Sequence, residues 1–201
     1  MGKRMLIIGL VWPEPTSSAA GWRMLQLVDL FISQGFEITF ASAASKSEHS
    51  FPLASKGVME VEIKLNDSSF DEFIKELNPD VVLFDRFMTE EQYSWRVAQT
   101  CPKAIRILDT EDLHFVRQAR QEAYKKGLDF NSDMLYSDLA KRELTAIYRS
   151  DLSLIISGFE MELLQDEFAI SPQILSYVPF QIKQQEQELL GYQDREHFTF
   201  I

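Results

Sequence analysis

The chain is poor in the residues that build cross-links and metal cages. It has one cysteine, Cys101, and three widely separated histidines, His49, His114 and His197. One thiol closes no internal disulfide, and no Cys/His set has zinc-ligand spacing, so a reducing compartment and no structural metal are expected. Positive charge is also scarce: 20 Lys and Arg stand against 31 Asp and Glu, a formal charge of −11. That balance weighs against an electrostatic grip on a phosphate backbone, and no nucleic-acid partner is expected. It leaves room for a local basic site that takes a single phosphate ligand, to which net charge is blind. No apolar run approaches the roughly 18 residues of a membrane span. The first such run, residues 5–11, follows Lys3 and Arg4 but is too short for a secretory signal and has no small-residue cleavage site. A cytoplasmic location is therefore expected. Glycine and proline, 8 and 7 of 201 residues, are too few for a low-complexity or fibrous chain.

What is present suits one folded core: 45% of the residues are hydrophobic and 12% aromatic. Residues 4–11 form a continuous apolar stretch of strand length, as in a parallel sheet buried on both faces. A helix is expected from Gly21, with Met24, Leu27, Val28, Phe31 and Ile32 on its apolar face and Arg23, Gln26 and Asp29 off it. Gly35 should end that helix, and residues 36–42 read as the next strand. Further strands are expected at residues 58–65, 81–84, 104–108, 152–156 and 174–178. The intervening helices should cover residues 70–77, 90–100 and 158–168. Ser69 and Glu72 have the spacing of a capping box for the first of these, and Pro102 stops the second. The polar stretch 113–149 reads as two helices broken near residues 127–132. This alternation predicts an α/β, Rossmann-like, doubly wound domain with a mostly parallel sheet and right-handed crossovers. The domain is expected to span residues 1–182. Residues 183–201 read as a linker followed by an apolar strand that would open a further, truncated domain.

In an open parallel sheet, ligands bind beyond the carboxyl ends of the strands, so the loops there carry the functional reading. Residues 12–22 hold one glycine and match neither the dinucleotide fingerprint nor the P-loop. Ala20 and Gly21 at the helix start either let backbone N–H groups approach a phosphate or merely allow close packing. Asp85-Arg86, just past a buried strand, is either a polar-ligand site or a structural ion pair. Asp109, Glu111, Asp112 and His114 are the densest titratable set in the chain. Three carboxylates so close should raise at least one pKa unless cations intervene, and Arg117 and Arg120 are spaced to do so. The set reads as a hydroxyl-binding, proton-handling cluster, or as caps and dipole partners of the following helix.

These residues resemble a known family. Pro13-Glu-Pro-x-x-x-x-Ala-Gly21 with its helix and Gly35-Phe-Glu-Ile-Thr-Phe40 is similar to the first unit of family-4 (group 1) glycosyltransferases of the GT-B type. Residues 85–96, from Asp85-Arg-Phe-Met to Trp95-Arg96, and Asp109-Thr-Glu-Asp-Leu-His114 with Arg117 and Arg120 resemble a bacterial branch of it. Ser157-Gly-Phe-Glu160 with Leu164 looks like its Ser-x-x-Glu-x-x-x-Leu helix start, and Phe198-Thr-Phe-Ile201 is similar to the strand opening its second domain.

The resemblance implies the N-terminal, acceptor-side half of an enzyme that moves a sugar from a nucleotide-sugar to a glycan or lipid-linked acceptor, with retention of configuration. It implies no metal and no cofactor beyond the nucleotide-sugar co-substrate. Ala20 and Gly21 would face the donor diphosphate. Asp109, Glu111, Asp112 and His114 would lie beside the reacting sugar as the catalytic set, and Asp85, Arg86 and Arg117 would meet the acceptor. A lipid-linked acceptor is compatible with peripheral membrane association of the full-length enzyme. The family's paired donor-binding glutamates would lie beyond Ile201, so this chain alone is expected to be inactive. Two features depart from the pattern: Ala20-Gly21 replaces a glycine pair, and Glu111-Asp112 stands where many members have His-Asp. Two other readings remain: a non-catalytic glycan- or nucleotide-binding module, and a nucleotide-sugar epimerase or oxidoreductase on a related fold, which the missing glycine-rich fingerprint weakens.

Overall fold

The computed structural model describes residues 2–181 together with Gly191 and Gln193. The expected linker and terminal strand at residues 183–201 lie almost wholly outside the described residues. Seven parallel strands form one sheet in the order β3-β2-β1-β4-β5-β6-β7. In chain order they are β1 (Lys3–Gly9), β2 (Phe36–Ser42), β3 (Met59–Glu62), β4 (Val81–Asp85), β5 (Ile105–Asp109), β6 (Leu152–Ile155) and β7 (Leu175–Tyr177). Six helices connect them: α1 (Ala19–Ser33), α2 (Ser69–Leu77), α3 (Arg86–Thr100), α4 (His114–Lys126), α5 (Asp138–Arg149) and α6 (Gly158–Asp166). This is the expected Rossmann-like doubly wound sheet. Its order reverses between β1 and β4, the place where such sheets bind ligands.

The apolar run of β1 divides by residue parity, as a strand with both faces covered must. Met5 and Ile7 join a core under α1 with Trp12, Leu53 and Phe40. Leu6 and Ile8 join the opposite core, under α2, α3, α4, α5 and α6. β4 divides in the same way: Val81 and Leu83 face α1, while Val82 and Phe84 face the other layer.

Boundaries differ from expectation in informative places. β1 stops at Gly9, because the chain must turn there to let the Leu10 N–H reach the Asp85 carboxylate at 3.0 Å. β3 covers only four residues, the stretch that pairs with Thr39–Ser42 of β2. Ser69 does not cap α2; Asp67 Oδ1 accepts the Ser69 N–H at 2.9 Å instead. α3 begins at Arg86 rather than near Glu90, so the strand passes into the helix with no loop between. α1 ends as expected, with Gly35 at φ +80°, and α4 stops at Gly127 in the left-handed region.

Candidate functional site at the strand carboxyl ends

β4 and β5 lie side by side in a register that pairs Asp85 with Asp109, so two acidic residues end neighbouring central strands. Their surroundings set them apart. Asp109 is fully buried and is met by Arg23, itself 2% exposed. Arg23 Nε donates to Asp109 Oδ1 at 3.0 Å and Nη2 donates to the same oxygen at 2.7 Å. Its Nη1 donates to the Val178 carbonyl at 2.7 Å, tying α1 to the end of β7. Burial raises the Asp109 carboxyl above its ordinary value, and Arg23 opposes that rise. The expectation that Arg23 lies off the buried face of α1 is therefore overturned. A helical wheel sees only apolar periodicity, and Arg23 is buried by a carboxylate 86 positions away in sequence.

Asp85 is 4% exposed and has no guanidinium in hydrogen-bond contact. Its Oδ2 accepts the Leu10 N–H, and its Oδ1 has no partner among the described residues. Desolvation, partly offset by Arg86, pushes its carboxyl up to about 7. Arg86 Nε stands 3.6 Å from Asp85 Oδ1 but donates to Glu111 Oε2 at 2.6 Å. The Asp85-Arg86 pair is thus extended into a three-residue set that sequence spacing did not reveal.

His114 opens α4 and is mostly buried. Its Nδ1 lies 3.1 Å from the Asp112 carbonyl, 3.5 Å from Glu143 Oε1 and 3.6 Å from Asp112 Oδ1. Burial opposes protonation, yet the hydrogen bond and charge of Glu143, with Asp112 behind them, raise its pKa above the ordinary value. The backbone N–H groups that would be orphaned at the start of α4 go to two buried glutamates. Glu143 of α5 accepts from His114 N at 3.2 Å and from Phe115 N at 3.1 Å. Glu160 of α6 accepts from Leu113 N at 2.8 Å. Neither glutamate was singled out as a site residue. Only the serine-led spacing Ser157-x-x-Glu160 hinted at one of them, and Ser157 does accept the Glu160 N–H.

Arg117 Nη1 lies 3.4 Å from Asp112 Oδ2, as expected of a compensating cation. Arg120 does not join the carboxylates; its guanidinium packs on the rings of Phe159 and Phe130, 4.6 and 5.5 Å from their centroids. At the start of α1, the Ser18 side chain accepts the Gly21 N–H at 3.0 Å. Gly21 also packs so closely that a Cβ there would sit 2.4 Å from the Glu14 carbonyl carbon. Close packing accounts for the glycine, while Ala19 and Ala20 remain at the helix mouth. With Arg23, Glu111, Asp112 and Arg117 they line a cleft of about 240 Å³. A larger groove of about 720 Å³ lies at the other end of the sheet, along Phe36, Glu37, Lys56 and Leu77. Among the described residues no helix N-terminus or buried acid converges there, and Lys56 is already bound to Asp29, so volume alone does not make it the site.

The structure thus brings Ala20, Gly21, Asp85, Arg86, Asp109, Glu111, Asp112, His114 and Arg117 to one end of the sheet. No protein-family model matches the chain, and no curated protein matches it in sequence. Solved structures do match in fold. One is the lipopolysaccharide outer core galactosyltransferase WaaB, at TM-score 0.55 and 15% identity, covering 90% of this chain and 47% of that one. Another is the sucrose-phosphate synthase of Thermosynechococcus elongatus, at TM-score 0.53 and 11% identity, covering 88% and 48%. A third is an alpha-glucosyltransferase in complex with UDP and a 13-mer DNA, at TM-score 0.51 and 17% identity, covering 90% and 43%. The chain therefore has the Rossmann-like fold found in GT-B glycosyltransferases and spans less than half the length of each. The expectation of no nucleic-acid partner is not borne out. A structure of the same fold holds DNA, and a net charge summed over the chain says nothing about a local acceptor groove.

Proposed function

We propose that this chain is the acceptor-side domain of a glycosyltransferase that uses a nucleotide-sugar donor. The observation that carries this reading is the meeting of Asp85, Arg86, Asp109 and Glu111 at the carboxyl ends of β4 and β5, beside the start of α1, with His114 opening the helix that follows β5. In this reading Ala20 faces the donor phosphates, where helix N–H groups favour negative charge, and Arg117 meets the acceptor. Gly21 shapes the same turn from within. Asp112 and His114 flank the reacting sugar. Glu143 raises the pKa of His114 against the opposing effect of burial and so favours its protonated form, in which it can stabilise charge developing on the leaving phosphate. Asp85 and Arg86 meet hydroxyls of the acceptor, a glycan or a lipid-linked saccharide. Transfer with retention, family-4 membership, a cytoplasmic location and peripheral association with a membrane complete the proposal. They rest on the resemblance of Pro13 to Gly21 and of Asp109 to His114 to that family. The donor-binding partner domain would follow residue 182.

The competing reading is a non-catalytic module that holds a glycan or nucleotide on the same face. It is favoured by the extensive internal pairing of Asp109 and Glu111. Thermal stabilisation of the protein from the complete gene, screened over UDP-, GDP- and ADP-sugars, tests the donor claim, since ligand held by the native state raises stability by mass action. At least one nucleotide-sugar should raise the melting temperature; none doing so would contradict the transferase reading.

A further inference from the structure

We propose that Asp85 Oδ1 is a receptor for one ligand hydroxyl and that the Arg86–Glu111 pair is a strained clasp that covers it. Asp85 is almost wholly buried, its Oδ2 is spent on the Leu10 N–H, and Oδ1 has no partner among the described residues. A buried carboxylate oxygen left without a donor is costly, so its retention calls for a use. Asp85 lines a small cleft with Trp12, Gly21, Met24, Arg86 and Glu111.

The cover is built from two residues in the left-handed region, Arg86 at φ +72° and Glu111 at φ +59°. Neither is the glycine or asparagine that this region favours. They follow neighbouring strands directly or nearly so, and their side chains hold each other at 2.6 Å. Strain at both positions is held in place by this one ion pair, and parting the pair frees both to relax. If the pair parts, Arg86 swings from the mouth of the cleft and Oδ1 is reached.

The chemistry of the floor sets the ligand class. The Asp85 carboxyl is pushed up to about 7, so near neutral pH it accepts a hydrogen bond when ionised and donates one when protonated, and a hydroxyl can answer both forms; with Asp109 and Glu111 close by, a phosphate or carboxylate is excluded. The Arg86 guanidinium, 3.6 Å from Oδ1, disfavours an ammonium. A neutral O–H donor, a sugar hydroxyl, fits. The source of that hydroxyl, an acceptor saccharide, rests on the function proposed above; the clasp itself does not.

The test is an NMR titration of the isotope-labelled protein with methyl glucoside and methyl galactoside, together with melting curves, on Glu111→Gln, Glu111→Gly and Asp85→Asn. One of the two glycosides should shift the Leu10 and Asp85 amides in the unaltered protein. It should bind several-fold more tightly to Glu111→Gln, because opening no longer breaks the ion pair. Asp85→Asn, which turns an NH₂ toward the subsite, should weaken binding at least about tenfold. Glu111→Gly should melt about 2–4 °C above Glu111→Gln, since both lose the ion pair and only glycine sheds the strain. Equal binding by Glu111→Gln and the unaltered protein, or a Glu111→Gly melting point at or below that of Glu111→Gln, would overturn the clasp. If glycosides leave both amides unmoved while a nucleotide-sugar still stabilises the protein, the subsite is refuted and the transfer reading stands.

Discussion

Asp85 and Asp109 end adjacent strands within one network, and their partners give them opposite burdens. Asp109 is a buried carboxyl whose pKa desolvation raises and whose charged form the forked guanidinium of Arg23 favours. Replacing Arg23 with Met leaves that buried carboxyl without its partner. Denaturant unfolding should show a loss of about 3–5 kcal/mol, while the paired change Arg23→Met with Asp109→Leu should lose clearly less. Asp85 instead carries a proton into the folded state. Its folded value is about 7 against an ordinary 3.8, so between those pH values the native protein holds a proton that the unfolded chain has released. Stability must then fall as pH rises across that window. His114 adds the same sign: its contribution is full below its ordinary 6.5 and is lost as pH rises through its higher folded value. Melting temperature should therefore decline from pH 5 to pH 8, and Asp85→Asn should flatten the acid part of that decline while leaving the part due to His114. A melting temperature that rises over this range would contradict both assignments.

At the scale of elements, α4 shows how a site is held in place from outside its own sequence. Its first N–H groups are taken by Glu143 and Glu160, carried on α5 and α6. Glu143→Ala should cost about 2–4 kcal/mol, because two buried donors lose their acceptor and His114 loses its charged neighbour. Its backbone amides at positions 114 and 115 should exchange faster with solvent, and Glu143→Gln should recover part of both effects. The sequence made α4 and α5 visible through Gly127, and the strands through their apolar runs, since these are local signals. It also placed Asp109 to His114 beyond a strand end. Arg23, Glu143 and the Arg86–Glu111 contact were not legible. Each is fixed by a partner between 25 and 86 positions away, and no periodicity records a side chain turned toward a distant charge. Glu143 in particular sits in a polar helix where exposure is the ordinary expectation.

The whole molecule is a parallel sheet with unequal layers: α1 with residues 51–58 on one face and five helices on the other. The strand order reverses between β1 and β4, and the chain segments that follow β1, β4 and β5 converge beside that point. The described residues contain no helix long and apolar enough to cross a membrane. The chain spans about half the length of the solved structures it resembles. The central claim is that Asp112 and His114 serve sugar transfer rather than helix capping alone. The direct test is the rate of sugar transfer from a nucleotide-sugar by the product of the complete gene and by its His114→Ala variant, at equal thermal stability. Turnover at least about tenfold lower is expected in the variant. An unchanged rate would leave His114 as a structural residue and contradict the account.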